Sequence, residues 1–427
     1  MGYDGPGAGP VRLGDGSSVR RNRGGRRSPA SDQYRNERGM MEQQEPVKIL
    51  FYVQHLLGIG HLKRTATLAR NMMRAGFDVT VVSGGHEIDV DLGGARLIQL
   101  PATRATDLYF KVLVDEEGQQ IDDEWRQRRA DRLLEIYQQI RPDILITELF
   151  PFGRRQMRFE LLPLLGAARS DTPRPLVISS VRDILVAQSK PGRNEEMLDL
   201  VERYFDYVMV HGDPALISLD KTFPHTARIR EKIFYTGYVV DHTGVKGGAE
   251  APGAGEVIVS SGGGAVGTNL LKTAIEARAL SSAKALTWRM MVGVTVEAEI
   301  FDELTALAAE GVIIERARPD FTTLLMNCAL SISQGGYNTV MEVLYAKCRA
   351  VIVPYAGGLE TEQTLRARLL AEKGVLKIAD EEGLTSEILA SKVDEALLGP
   401  PAEAAIDVNG ARASVELLKD WAGKRHG

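Results

Sequence analysis

The segment "HLLGIGHLKRTATLAR", residues 55–70, follows the apolar run "VKILFYV" and opens a helical pattern on His61. A helix N-terminus disfavours imidazolium, so the spacing predicts a neutral ring able to accept a proton near pH 7. Gly58 and Gly60 keep the turn before it open to close approach by a substrate. The alternative is a histidine that caps the helix or lines a cleft without moving a proton. Glu148 ends the run "DILITE". It is expected either to orient His61 or to meet a substrate, or else to be an exposed strand-end carboxylate.

Glycine loops make a second kind of site. Gly58 and Gly60 could begin a dinucleotide fingerprint, but Lys63 stands where its third glycine belongs. In "SSGGGAVGTN", 260–269, Gly262, Gly263 and Gly264 lie between a strand pattern and a helix pattern, with no Gly-Lys-Ser/Thr to follow. Backbone N–H groups there suit phosphate oxygens, or the turn simply needs glycine. A second such turn, Gln334-Gly335-Gly336, precedes a helix expected to open near Asn338 and Thr339, with Glu342 one turn further on the same face. A later loop carries Glu360, Glu362 and Gln363, groups that bind vicinal hydroxyls or merely favour a helix start. The string "DVD", 89–91, is too short to make a metal site by itself.

Positioning these groups takes alternating strands and helices. Apolar runs at 48–53, 78–84, 95–100, 143–148, 175–180, 206–212 and 232–240 alternate with amphipathic stretches, then a Gly/Ala-rich segment, 241–256, precedes a second strand–turn–helix series. The pattern predicts an α/β chain with two doubly wound, Rossmann-like domains facing across a cleft, 47–240 and 257–427, joined by a linker at 241–256. Residues 1–46 are rich in Gly and Arg and poor in large aliphatics, a composition expected to stay disordered; Met40 or Met41 is an alternative start. A net charge of −5 argues against nucleic acid as a partner. Two cysteines without ligand spacing, and no apolar run of membrane length, point to a cytoplasmic protein.

The order Gly-Gly-x-Asn-Thr-x-x-Glu, an apolar strand ending in Pro, then Glu-Gln-x-x-Arg-Ala resembles the donor-binding signature of GT-B glycosyltransferases, family 28 above all. "YTGYV" (235–239), "SSGGGAVGTN" and "GIGHLKRTATLA" resemble further parts of that family, and "TELFPFGRRQMRFELLPLL" (147–165) is similar to an uncharacterised branch of predicted glycosyltransferases. The resemblance runs over nearly the whole chain from about residue 47. It implies a metal-independent inverting transferase using a nucleotide-sugar donor, a UDP-sugar by family habit, with no cofactor. Gly263, Gly264, Gly336, Asn338 and Thr339 would surround the diphosphate, Glu342 would take the ribose hydroxyls, Glu362 and Gln363 the donor sugar, and His61 would be the base. Gln334 stands where relatives often place a basic residue, and Arg289 is the candidate to supply the missing charge. The acceptor, a lipid-linked, glycan or small molecule, would dock near 101–125 and 150–158, where Arg154, Arg155 and Arg158 either meet a phosphate or simply form a solvated helix face; peripheral contact with the inner face of a membrane would fit. A nucleotide-sugar hydrolase and a non-catalytic nucleotide-sugar binder are the alternatives.

Overall fold

The structure is a computed structural model that describes residues 1–2, 45–107, 110–186, 191–242, 245, 248, 251–262, 267–294, 296–355, 361–401 and 405–426. The expected tail therefore lies almost wholly outside the described residues, as do Gly263, Gly264 and Glu360. The chain divides into Met1–Glu45 and Pro46–Gly427, and the elements named here belong to the second unit.

Its first half runs β1 (Lys48–Val53), α1 (Gly60–Arg74), β2 (Asp78–Ser83), β3 (Arg96–Gln99), a short β4–β5 hairpin (Arg104–Ala105, Leu113–Val114), α2 (Asp123–Ile140), β6 (Ile144–Glu148), α3 (Arg158–Ser170), β7 (Leu176–Arg182), α4 (Arg193–Tyr204), β8 (Tyr207–His211) and β9 (Ile233–Tyr235). The second half runs β10 (Val257–Ser260), α5 (Thr268–Leu280), β11 (Trp288–Val292), α6 (Ala298–Ala306), β12 (Val312–Arg316), α7 (Phe321–Asn327), β13 (Leu330–Gln334), α8 (Tyr337–Ala346), β14 (Ala350–Val353), α9 (Glu362–Glu372), β15 (Lys377–Ile378), α10 (Ser386–Leu398) and α11 (Gly410–His426).

Among the described residues the strands other than the antiparallel β4–β5 pair form two parallel sheets, ordered β3-β2-β1-β6-β7-β8-β9 and β12-β11-β10-β13-β14-β15. Helices cover both faces, which is why the strands read as near-continuous apolar runs. Alternate residues of β1 serve different cores: Leu50 and Tyr52 pack on one face of the sheet, Ile49, Phe51 and Val53 on the other. In each sheet the strand order reverses once, between β1 and β6 and between β10 and β13. The crevices outside the carboxyl ends at those reversals are where such folds bind ligands. His61, Glu148, Gly262 and the 334–339 turn all fall there.

Two expectations are corrected. The run 232–240 is a strand only over Ile233–Tyr235, since Gly237 turns the chain at positive φ and Tyr238 instead donates its N–H to the Asp407 carbonyl. The second domain does not keep everything to residue 427. Helix α11 returns to the first sheet, where Leu418, Trp421 and Ala422 join the core of Ile49 and Phe51. Trp421 stacks on Tyr207 at 4.0 Å between ring centroids and meets Phe234 edge-on. The segment 241–256 carries no helix or strand among its described residues. Among the described residues no helix is long and apolar enough to cross a membrane.

Candidate active site

His61 is the second residue of α1, whose first turn has neither an acidic residue nor a side-chain cap. The nearest carboxylate comes from the neighbouring strand end. Glu148 closes β6 and is fully buried, and its Oε1 lies 3.0 Å from His61 Nδ1. Arg64, one turn along α1, donates to the same oxygen. Burial drives Glu148 up, but Arg64, His61 and His211 outweigh it and hold the carboxyl at about 2. An ionised Glu148 makes Nδ1 the protonated nitrogen of His61 and leaves Nε2 to accept. Burial first, then the charge of Arg154, pushes the imidazolium down to about 3, against the helping pull of Glu148. The ring is neutral, as expected, but desolvation and an arginine are the cause rather than the helix end alone.

Sequence reading missed what holds Glu148. Its Oε2 accepts from Ser180 Oγ at 2.8 Å, and Ser180 lies 2.9 Å from His211 Nε2. His211 Nδ1 in turn lies 2.9 Å from Thr236 Oγ1. The strand register sets this chain up, with Glu148 beside Ser180 and Arg182 beside His211 at adjacent carboxyl ends. The signal was visible: "YVMVH" ends in a polar residue just as "ILITE" does.

The opposite wall is built by the second sheet. Helix α5 starts after Gly267 (φ 103°) and α8 after Gly336. A Cβ on Gly267 would sit 2.7 Å from Ser261 Cβ and 2.8 Å from Gln334 Nε2, so only glycine fits. Ser261 Oγ and Gln334 Nε2 are buried and without a hydrogen-bond partner among the described residues. Two helix N-termini and two idle polar side chains therefore converge where an anion would be welcome. Gly335 is fixed by Gln363, whose Cβ would be 3.2 Å from an added Cβ, and Gln363 accepts from the Tyr355 N–H at 3.2 Å. Gly60 faces Asn338 Nδ2 across the cleft at 3.5 Å from its notional Cβ, whereas Gly58 faces open space. Glu342 is pushed up to about 7 by burial and by Asp241, with Lys63 and a 3.3 Å bond from Thr322 opposing.

A cleft of about 1450 Å³ brings these groups together, lined by Gly58, Gly60 and His61 on one side and by Gly262, Gln334, Gly336, Asn338, Thr339, Glu342, Glu362 and Gln363 on the other. Arg289 does not join them. It is the second residue of β11, away from the ligand end, and is held by Glu256 at 2.6 and 2.7 Å and by Glu315 at 3.1 Å. Its charge is already compensated, so it cannot replace a basic residue at 334. Glu362 is buried and its two oxygens face Arg366 at 2.7 Å and Arg182 at 2.6 Å. Asp91 of the "DVD" string accepts from the Gly93 N–H at 2.8 Å. Among the described residues no group of three His, Cys, Asp or Glu could hold a metal ion.

Tyr337 and Arg366 of one wall join the other. The Arg64 and Arg366 guanidiniums both lie over the Tyr337 ring, 5.2 and 5.1 Å from its centroid, and Tyr337 donates to the His211 carbonyl at 3.0 Å. Arg366 donates to Asp183 at 2.8 and 3.1 Å, and Tyr238 donates to the same carboxylate at 2.9 Å.

Comparison with known proteins fits this arrangement. Residues 268–419 match the glycosyltransferase family 28 C-terminal domain. A UDP-N-acetylglucosamine–N-acetylmuramyl-(pentapeptide) pyrophosphoryl-undecaprenol N-acetylglucosamine transferase from Granulibacter bethesdensis is 29% identical over 157 residues, 36% of this chain and 41% of that protein. Its namesake from Dichelobacter nodosus is 32% identical over 104 residues, 23% of this chain and 29% of that protein. The chain thus spans less than half the length of these curated relatives. Solved structures match more widely. The calicheamicin glycosyltransferase CalG4 covers 90% of this chain and 97% of its own at a TM-score of 0.56 and 16% identity. The Acinetobacter baumannii MurG structure covers 88% and 100% at 0.56 and 16%. The fold is that of the GT-B glycosyltransferases.

Proposed function

We propose that this chain, a GT-B fold with a family 28 C-terminal domain, is a metal-independent inverting glycosyltransferase that moves a sugar from a nucleotide-diphosphate donor, a UDP-sugar, to an acceptor hydroxyl. The observation that carries the reading is the neutral His61, backed by ionised Glu148, facing two glycine-opened helix N-termini across one cleft.

The chemistry divides between the walls. His61 Nε2 takes the proton of the acceptor hydroxyl as its oxygen attacks the anomeric carbon. The new O–C bond forms as the bond from that carbon to the diphosphate breaks, and the nucleoside diphosphate leaves with the bonding pair. Glu148 holds the ring in the productive tautomer and stabilises the imidazolium that forms. Diphosphate charge is met by the N-termini of α5 and α8, by Gln334 Nε2 and by Ser261 Oγ. Glu342 accepts from the ribose hydroxyls. Since the oxygens of Glu362 face arginines, Gln363 is the freer of that pair to hold the donor sugar.

A single displacement inverts the anomeric centre. Products from an α-linked UDP-sugar donor are expected to be β-linked by NMR, at a rate that a chelator leaves unchanged. A product that keeps the donor's configuration, or a rate that falls with chelation and returns with a divalent ion, contradicts this reading.

A further inference from the structure

We propose that Arg154 and Arg182 form an oxyanion subsite at the point of sugar transfer, and that one of the two molecules joined there carries a carboxylate or phosphate beside the reacting centre. The inference rests on the sugar-transfer reading of the cleft and specifies what that cleft selects.

Cations outnumber acids along the cleft wall, although the whole chain carries a net charge of −5. Most of these cations are already matched. Arg155 and Arg158 share Glu196, Arg70 takes Asp241, Arg318 takes Asp320, and Arg64 takes Glu148. Arg154 has no carboxylate among the described residues. Its Nε donates to the Gln54 carbonyl at 2.7 Å, and the rest of the guanidinium has no acceptor there. Arg182 reaches Glu362 with Nη2 at 2.6 Å, while its Nε is buried without a partner.

The two arginines are placed together by the sheet. Arg154 sits in the loop after β6, and Arg182 ends the adjacent strand β7. Both line the cleft that holds His61, and the charge of Arg154 acts on the His61 ring. The loop is costly to build, because Leu149 and Arg154 both hold left-handed backbone, at φ 67° and 57°. Such backbone strain collects at functional positions. Burial, and then the charge of Arg182, pushes Arg154 down to about 10. Paired guanidinium forks suit the planar carboxylate and the phosphate alike.

Occupancy has a consequence for the base. The charge of Arg154 is one of the two main causes that hold His61 down. An oxyanion on Arg154 screens that charge and raises the basicity of His61, so the right substrate arms its own proton acceptor.

The test uses the full chain saturated with UDP and titrated with inorganic phosphate, with calorimetry for affinity and the His61 ring signals for titration. Phosphate is expected to bind the UDP complex and to shift His61 titration upward. Arg154→Gln should weaken phosphate by roughly tenfold or more while leaving UDP affinity within about twofold, and Arg154→Lys should recover only part of the loss. Absence of phosphate binding once UDP is bound overturns the proposal. So does an equal loss of UDP affinity in Arg154→Gln, which would assign the arginine to the donor diphosphate. If UDP fails to bind but phosphate binding still needs Arg154, the subsite stands and the nucleotide-sugar reading falls. The source of the anion follows from a second arm, UDP-glucuronate against UDP-glucose. An Arg154-dependent preference for the glucuronate puts the anion on the donor sugar; equal affinity, with phosphate still bound beside UDP, puts it on the acceptor.

Discussion

Glu342 is the residue whose ionisation is most open to measurement. Its folded value of about 7 stands above the ordinary 4.5, so between those values the folded state keeps a proton that the unfolded chain has released. Its contribution therefore favours the folded state at low pH and is lost as pH rises toward and through 7. Glu342→Gln should flatten this fall in thermal-melt series from pH 5 to 8 and leave the variant relatively more stable at pH 8. A ligand whose hydroxyls donate to the carboxylate should bind better above pH 7 and release a proton on binding. That slope is expected to vanish in Glu342→Gln, and calorimetry in buffers of different ionisation enthalpy reads it. An unchanged slope in the variant would remove Glu342 from the ribose. At this scale the sequence was informative where a residue type stood at a loop: His61, Gln334, Asn338 and Glu342 were legible from spacing. It gave no signal for Ser180 and showed His211 only as a polar strand end; both reach the site because parallel strands set their carboxyl ends side by side. It misled on Arg289, because position along a strand, not proximity in sequence, decides which end of the sheet a side chain serves.

At the level of elements, the donor wall depends on two helix starts that tolerate no side chain at the turn. Gly267 combines φ 103° with a notional Cβ at 2.8 Å from Gln334 Nε2. Gly267→Ala must distort the backbone or displace Gln334, at a cost of about 1–3 kcal/mol. The expected result is a folded protein with a modestly lower Tm and nucleotide affinity reduced roughly tenfold, the worth of one lost charge-assisted hydrogen bond. Wild-type affinity in Gly267→Ala would mean that neither the α5 turn nor Gln334 touches the ligand. The alternation of buried strands and amphipathic helices was legible throughout, since a parallel sheet covered on both faces imposes it. The shortening of the 232–240 run was not, because a strand also needs a neighbour, and beyond Gly237 the chain finds Asp407 instead.

For the whole molecule, the informative element is α11, which ends the chain yet belongs to the first sheet. Trp421 is 2% exposed and stacked on Tyr207. Trp421→Ala should cost roughly 3–5 kcal/mol and register in the first half, as lost hydrogen-exchange protection in β1 and β8. Loss confined to β10–β15 would contradict the packing. Composition and periodicity announce two halves, but no local pattern says that the last helix crosses back. Only its apolar face, filled by the first core, does so. The return crossing and the Asp183–Arg366–Glu362–Arg182 contacts hold the two walls against each other, which lets His61 of one wall work on a ligand gripped by the other. The account therefore turns on whether binding and proton transfer separate cleanly between the walls. The direct measurement is nucleoside diphosphate release from UDP-sugars, wild type against His61→Ala, with UDP affinity measured in parallel. The expected result is release slowed by roughly 10²–10⁴-fold at unchanged UDP affinity. Release at the wild-type rate in His61→Ala would contradict the account.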